Sequence, residues 1–115
     1  MVWFSLAAGL GAQARVPFVG CASDGQVGPK PAPVGSAQWV GVDAQEARRL
    51  AYYKTELGPG VLAPRGWHCD GTYGSSGAYT VVVPKPIDLR KFFGESDFRF
   101  MGPAVVASFV YSGTF

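Results

Sequence analysis

Residues 39–58 read WVGVDAQEARRLAYYKTELG, and the class of the fold turns on whether their second half is a helix. Asp43 followed three residues later by Glu46 has the form of a capping box. The Asp carboxylate can accept from an amide of the first turn, and acidic groups suit the positive end of the helix dipole. From Ala44 to Leu57 no Gly or Pro interrupts the chain, and Ala47, Leu50, Ala51, Lys54 and Leu57 recur at three- and four-residue spacing. That spacing predicts one amphipathic helix. Gly58 ends it at the C′ position and Pro59 keeps it from resuming. Arg48, Arg49 and Glu56 fall off the apolar stripe and read as a solvated face. Tyr52 and Tyr53 are adjacent and cannot share one helical face, so one packs while the other reaches the rim with its hydroxyl. Upstream, Trp39, Val40 and Val42 read as a short strand leading into the helix.

Beyond Gly60 the pattern changes to β. GVLAP (60–64) is a short strand, and GWHCDGTY (66–73) alternates, with Trp67 and Cys69 on one face and His68 and Asp70 on the other. GAYTVVVP (77–84) is a β-branched run stopped by Pro84, and Gly74-Ser75-Ser76-Gly77 is a hairpin tip, so residues 67–83 are predicted to form a β-hairpin. IDLRKFFGESDFRFMGP (87–103) reads as a short helix or an irregular lid. AVVASFVYSGTF (104–115) is apolar on both faces, as in the middle of a sheet. Before the helix, residues 15–37 hold four Pro and no helical period, so they form an extended arm in which SDGQ (23–26) makes a tight turn. The predicted class is α+β: one main amphipathic helix on a small, mostly antiparallel sheet, with the N-terminal arm tied to it by a disulfide.

Composition narrows the setting. A chain of 115 residues with 48% hydrophobic content builds one domain with one core. Its net charge is +2, and the basic residues are scattered, the tightest groups being the pairs Arg48/Arg49 and Arg90/Lys91. A nucleic-acid footprint needs a stripe or cluster of cations, so nucleic acid is not an expected partner. Residues 2–12, VWFSLAAGLGA, have the length of a signal-peptide apolar region and are too short to span a bilayer. Ala12-Gln13-Ala14 matches the small-residue cleavage pattern. Residues 1–14 therefore read as a signal peptide lacking its basic n-region, and 15–115 as one small exported domain, periplasmic or secreted, with a truncated C-terminus and no transmembrane span. FVGC (18–21) is a weak lipoprotein match, since Arg15 and Pro17 separate it from the apolar run. In an oxidising compartment the two cysteines have a single connectivity, Cys21 to Cys69. Cys21, His68 and Cys69 lack the paired spacing of a metal site, and neither a metal nor a cofactor is expected.

RGWHCDGTYGSSG (65–77) is the most site-like stretch. His68, Asp70 and Ser76 superficially supply a catalytic triad. A nucleophile elbow, however, needs Gly two before and two after its Ser; Ser76 has Gly74 but Ala78, and Ser75 has Gly77 but Tyr73. Cys69 cannot use His68 as its base, because neighbours on a strand point to opposite faces. Asp43, Glu46, Asp88, Glu95 and Asp97 show no spacing that selects a glycosidase pair. GTYGSSG lacks the Lys-Ser/Thr of a phosphate loop. No catalytic residue is assigned; His68, Asp70 and Ser76 remain the candidates. What the stretch does supply is a presented loop. Tyr73, Gly74, Ser75, Ser76 and Gly77 offer backbone donors and an amphipathic ring at little conformational cost.

GCASDGQVGP (20–29) and GVLAPRGWHCDGTYGSSG (60–77), together with GPAVVASFVYSGT (102–114), resemble a group of secreted bacterial hypothetical proteins that carry an export signal and no assigned activity. The resemblance covers most of the mature chain and implies export and paired cysteines. Asp70 departs from it, since the group's pattern has an aromatic after the second Cys and continues beyond SGT. The leading expectation is an exported, non-catalytic envelope or secreted protein whose 71–77 hairpin binds an envelope protein or glycan. The alternatives are a small periplasmic hydrolase using His68 with Asp70 or Ser76, and a purely structural accessory module.

Overall fold

The computed structural model describes residues 13–86 and 102–110. Of the expected leader over 1–14 and the expected helix or lid over 87–103, residues 1–12 and 87–101 lie outside the described residues, as does the tail after Val110; Ala14 is part of a strand and Gly102 and Pro103 are not helical. Strands make up 54% of the described chain and helix 5%, with no helix of 7 or more residues. The α+β expectation is therefore wrong, and the protein is mostly β. Among the described residues no helix is long and apolar enough to cross a membrane.

The error sits in 44–57. Asp43 does cap a helix, its carboxylate accepting from Glu46 N–H at 2.7 Å, but α1 (Ala44–Ala47) lasts one turn. The chain then extends into β5 (Leu50–Thr55). Two periods compete in this segment, and the shorter one decides. Ala51, Tyr53 and Thr55 are each 1% exposed, whereas Leu57 on the supposed helical stripe is 42% exposed. Tyr, Tyr and Thr favour a pleated surface, and an isolated fourteen-residue helix is marginal in water. Pairing β5 on both sides outweighs it. Arg65 secures the junction: its Nη2 donates to the Ala47 carbonyl and its Nε to Leu50, both at 2.8 Å, while its backbone N–H donates to Arg49.

Three sheets result. In the first, β1 (Ala14–Val16) pairs antiparallel with β4 (Gln38–Val40). In the second, β5 lies between β2 (Phe18–Cys21), parallel to it, and β6 (Gly60–Pro64), antiparallel. The third has the order β3 (Ser23–Gly25), β7 (His68–Gly74), β8 (Gly77–Val83), β9 (Val105–Val110). The arm expected to be merely tied down thus gives one strand to each sheet. Its linking residues are bonded too, with Tyr52 N–H donating to Pro17 and Gly71 N–H to Ala22. The tight turn falls slightly later than SDGQ, closed by Gly28 N–H donating to Gly25. β9 also departs from expectation: among the described residues it borders the sheet instead of running through its middle, and Phe109 and Val110 are exposed.

The core lies between the second and third sheets, where Cys21, Ala51, Tyr53, Ala63 and Val82 cluster. Tyr53 settles the question of the adjacent tyrosines. Its hydroxyl donates to the Pro64 carbonyl at 2.6 Å, while Tyr52, on the opposite face, packs against Phe18 with ring centroids 6.1 Å apart. A buried polar chain also crosses the interface. Gly58 N–H donates to Thr55 Oγ1, the two Thr hydroxyls meet at 3.0 Å, and Thr80 Oγ1 donates to the Pro59 carbonyl. Because Thr80 spends its one proton on Pro59, Thr55 must donate to Thr80, and every member is satisfied. Thr80→Val breaks this chain and leaves buried groups unpaired, so urea unfolding should show a loss of about 1–3 kcal/mol; an unchanged midpoint would mean that the chain carries no stability.

Candidate functional site

The site-like stretch becomes the hairpin β7–β8, which pairs from His68↔Val83 to Gly74↔Gly77 and leaves Ser75 and Ser76 as a two-residue tip. At its base Trp67 and Cys69 pack on the core cluster. Cys69 is bonded to Cys21 with the Cα atoms 5.4 Å apart. No thiolate is available there, and the link joins the second sheet to the third. At its far end the hairpin is braced by Tyr73, whose hydroxyl donates to the Gly28 carbonyl. The Tyr73 ring lies where a Cβ on Gly25 would be, 2.7 Å from its Cδ1, so only glycine fits the facing strand. Gly77 is equally constrained: a Cβ there would stand 2.1 Å from the Phe109 carbonyl of β9.

His68 and Asp70 share the outer face of β7, His68 exposed and Asp70 half-buried. Burial holds the Asp70 carboxyl above its ordinary range, and the His68 charge only partly offsets this. Ser76 is at the other end of the hairpin. Six residue steps separate His68 from Gly74, about 20 Å along a strand, which places the Ser76 hydroxyl far beyond the reach of the imidazole. The candidates His68 and Ser76 are therefore not brought together. Asp43 is engaged as the helix cap, and Asp88, Glu95 and Asp97 lie outside the described residues. Among the described residues no three of His, Cys, Asp and Glu gather as metal ligands.

What the structure does form is a shallow, open depression of about 330 Å³ at the hairpin tip, lined by Thr72, Tyr73, Gly74, Ser76, Gly77 and Tyr79. Tyr73, Gly74, Ser76 and Gly77 belong to the predicted loop; Ser75 is exposed beside it. Tyr73 has its hydroxyl committed to Gly28 and acts as a brace. Thr72 and Tyr79 were missed, although the sequence held a signal for them. A two-residue tip that pairs Gly74 with Gly77 sets Thr72 opposite Tyr79 on the same face.

No protein-family model, no curated protein and no solved structure matches the chain. The chemistry of this surface therefore rests on its own geometry.

The Asp70 shift gives a signed expectation. A carboxyl that binds its proton more tightly when folded stabilises the fold at acidic pH, and this contribution is lost as pH rises through the raised native pKa. Asp70→Asn removes the ionisation. The variant should exceed the parent in stability at pH 7, with the difference shrinking as the pH falls toward 3, as read by urea unfolding at each pH.

Proposed function

We propose that the chain is an exported, disulfide-stapled β module that binds a protein or glycan of the cell envelope or its surroundings through residues 71–77, without catalysing a reaction. The observation that carries this reading is the braced tip. The depression at Thr72–Tyr79 sits on a hairpin anchored at one end by Cys21–Cys69 and at the other by Tyr73 and Gly28. A surface held this way loses little conformational entropy when a partner docks. The disulfide is compatible with export, and the apolar run with its Ala12-Gln13-Ala14 pattern supports a leader. The hydrolase alternative gains no support from the separation of His68 from Ser76.

Ser75 and Ser76 are exposed and outside the ladder, so Ser75→Lys/Ser76→Lys alters the tip without touching the core. Cross-linking in an envelope extract and sedimentation with insoluble cell-wall polysaccharide should recover the parent protein and lose the double variant. His68→Ala should be recovered like the parent. Recovery that is the same for all three would contradict the proposal, as would a hydrolytic activity abolished by His68→Ala.

A further inference from the structure

Between β3 and β4 the arm passes over β2 as a strap whose residues 29–35 read PKPAPVG. Every residue from Pro29 to Pro33 is either a proline, with φ held near about −65°, or the residue before one, which is kept out of the helical region and extended. Among the described residues no peptide bond is cis, so the three prolines follow trans bonds. Repeated in this way, the two constraints give polyproline II, a left-handed helix of three residues per turn without internal hydrogen bonds. Burial repeats with the same period. Lys30 and Pro33 are half-buried, whereas Pro29, Pro31, Ala32, Val34 and Gly35 are exposed, Val34 at 100%. One row of the three-fold helix therefore faces the protein, and two rows face solvent. Both ends are held. Lys30 exchanges two backbone hydrogen bonds with Ser23, at 2.8 and 3.1 Å, and Gln38 Nε2 donates to the Ser36 carbonyl at 3.0 Å. Between them the Pro33 carbonyl lies where a Cβ on Gly20 would be, and a Cβ on Gly35 would stand 2.8 Å from the Phe18 ring.

We propose that residues 29–35 are a second recognition surface, a polyproline II ligand presented to a protein domain with an aromatic-lined groove. This goes beyond the hairpin reading, since it uses other residues and another class of partner. A groove can touch only two rows of a three-fold helix, and the third points away from it. In this strap the row a groove leaves out is the one packed on the protein. Pro31 with Ala32, and Val34 with Gly35, are the successive pairs it would take. At about 3.1 Å per residue the strap is about 19 Å long, or two turns, which accommodates both pairs. The chemistry of the exposed rows selects this partner over others. Residues 25–42 carry one charge, Lys30, and it lies on the inward row, so the exposed rows offer no ion pair to an acidic or basic surface. They also lack the Trp, Tyr, Lys and Arg anchors of a membrane-surface segment. Prolines and fixed ends set the backbone before docking, so little conformational freedom is lost on binding.

Nuclear magnetic resonance titration of the isotope-labelled, oxidised chain tests this, using purified SH3-type and WW-type domains, which read proline-rich chains in aromatic-lined grooves, and a folded domain without such a groove as control. At least one groove domain should shift the amide signals of Ala32, Val34 and Gly35 in a saturable way, and the control should shift none. Val34→Asp and Ala32→Asp, both at exposed positions outside any strand, should each weaken binding by about tenfold. Pro31→Gly, which frees the backbone, should weaken it by about fivefold. Ser75→Lys/Ser76→Lys should bind like the parent. The proposal is overturned if no groove domain shifts the strap signals, if the control shifts them equally, or if Val34→Asp and Ala32→Asp titrate like the parent. Shifts confined to residues 71–77 would also overturn it, and would place the partner at the hairpin instead.

Discussion

Cys21 and Cys69 join β2 of the second sheet to β7 of the third across 48 residues of chain, and the rest of the architecture depends on that bond. On either side of it the arm enters two different sheets as a parallel strand, four residues beside β5 and three beside β7. Such short parallel ladders are weak by themselves, and a chain this small has little core to spare. Closing a loop of this length removes roughly 4 kcal/mol of entropy from the unfolded ensemble in the chain-entropy model, a large share of the 5–15 kcal/mol typical of a folded domain. The crosslink also fixes where the arm passes from one sheet to the other, at Ala22.

Around the staple the interface is built from small residues and satisfied polar groups. Ala51 and Ala63 let the sheets approach, Tyr53 fills the centre, and the Thr55–Thr80 chain closes the end nearest the Gly58–Pro59 turn. Inward-facing residues of β7 and β8 are consumed by this packing. Val81 and Val83 on the opposite face of β8 are buried as well, so what the hairpin offers to solvent is the exposed Ser75–Ser76 tip and, at the other end, His68. A rigid polar tip is suited to recognition, and a triad with its members at opposite ends of a strand is not suited to catalysis.

Much of this surface was legible in the residues. The Cys pair had one connectivity, and Gly-Ser-Ser-Gly between an alternating run and a β-branched run defined the hairpin. The Asp43 cap was also correct. The long helix failed because Leu50-Ala51-Tyr52-Tyr53-Lys54-Thr55 satisfies two periods at once, and only pairing with β2 and β6 shows which is used. The adjacent tyrosines held the clue: they conflict on a helix and fit on a strand. The strands of the arm are three or four residues long, too short for any period to register. For β9 an apolar run suggested a central strand, but composition does not say which edge of a strand has a neighbour. That Asp24, Thr72, Tyr79 and Ser108 lie side by side follows from the register of four separate strands, which no local pattern of the sequence displays.

Urea unfolding followed by tryptophan fluorescence, with the oxidised and fully reduced chain compared at one pH, tests the dependence on the staple most directly. If the Cys21–Cys69 bond holds the sheets together, reduction should lower stability by about 4 kcal/mol and leave the chain largely unfolded at 37 °C. Superimposable curves, with both thiols open to labelling before any reductant is added, would contradict it.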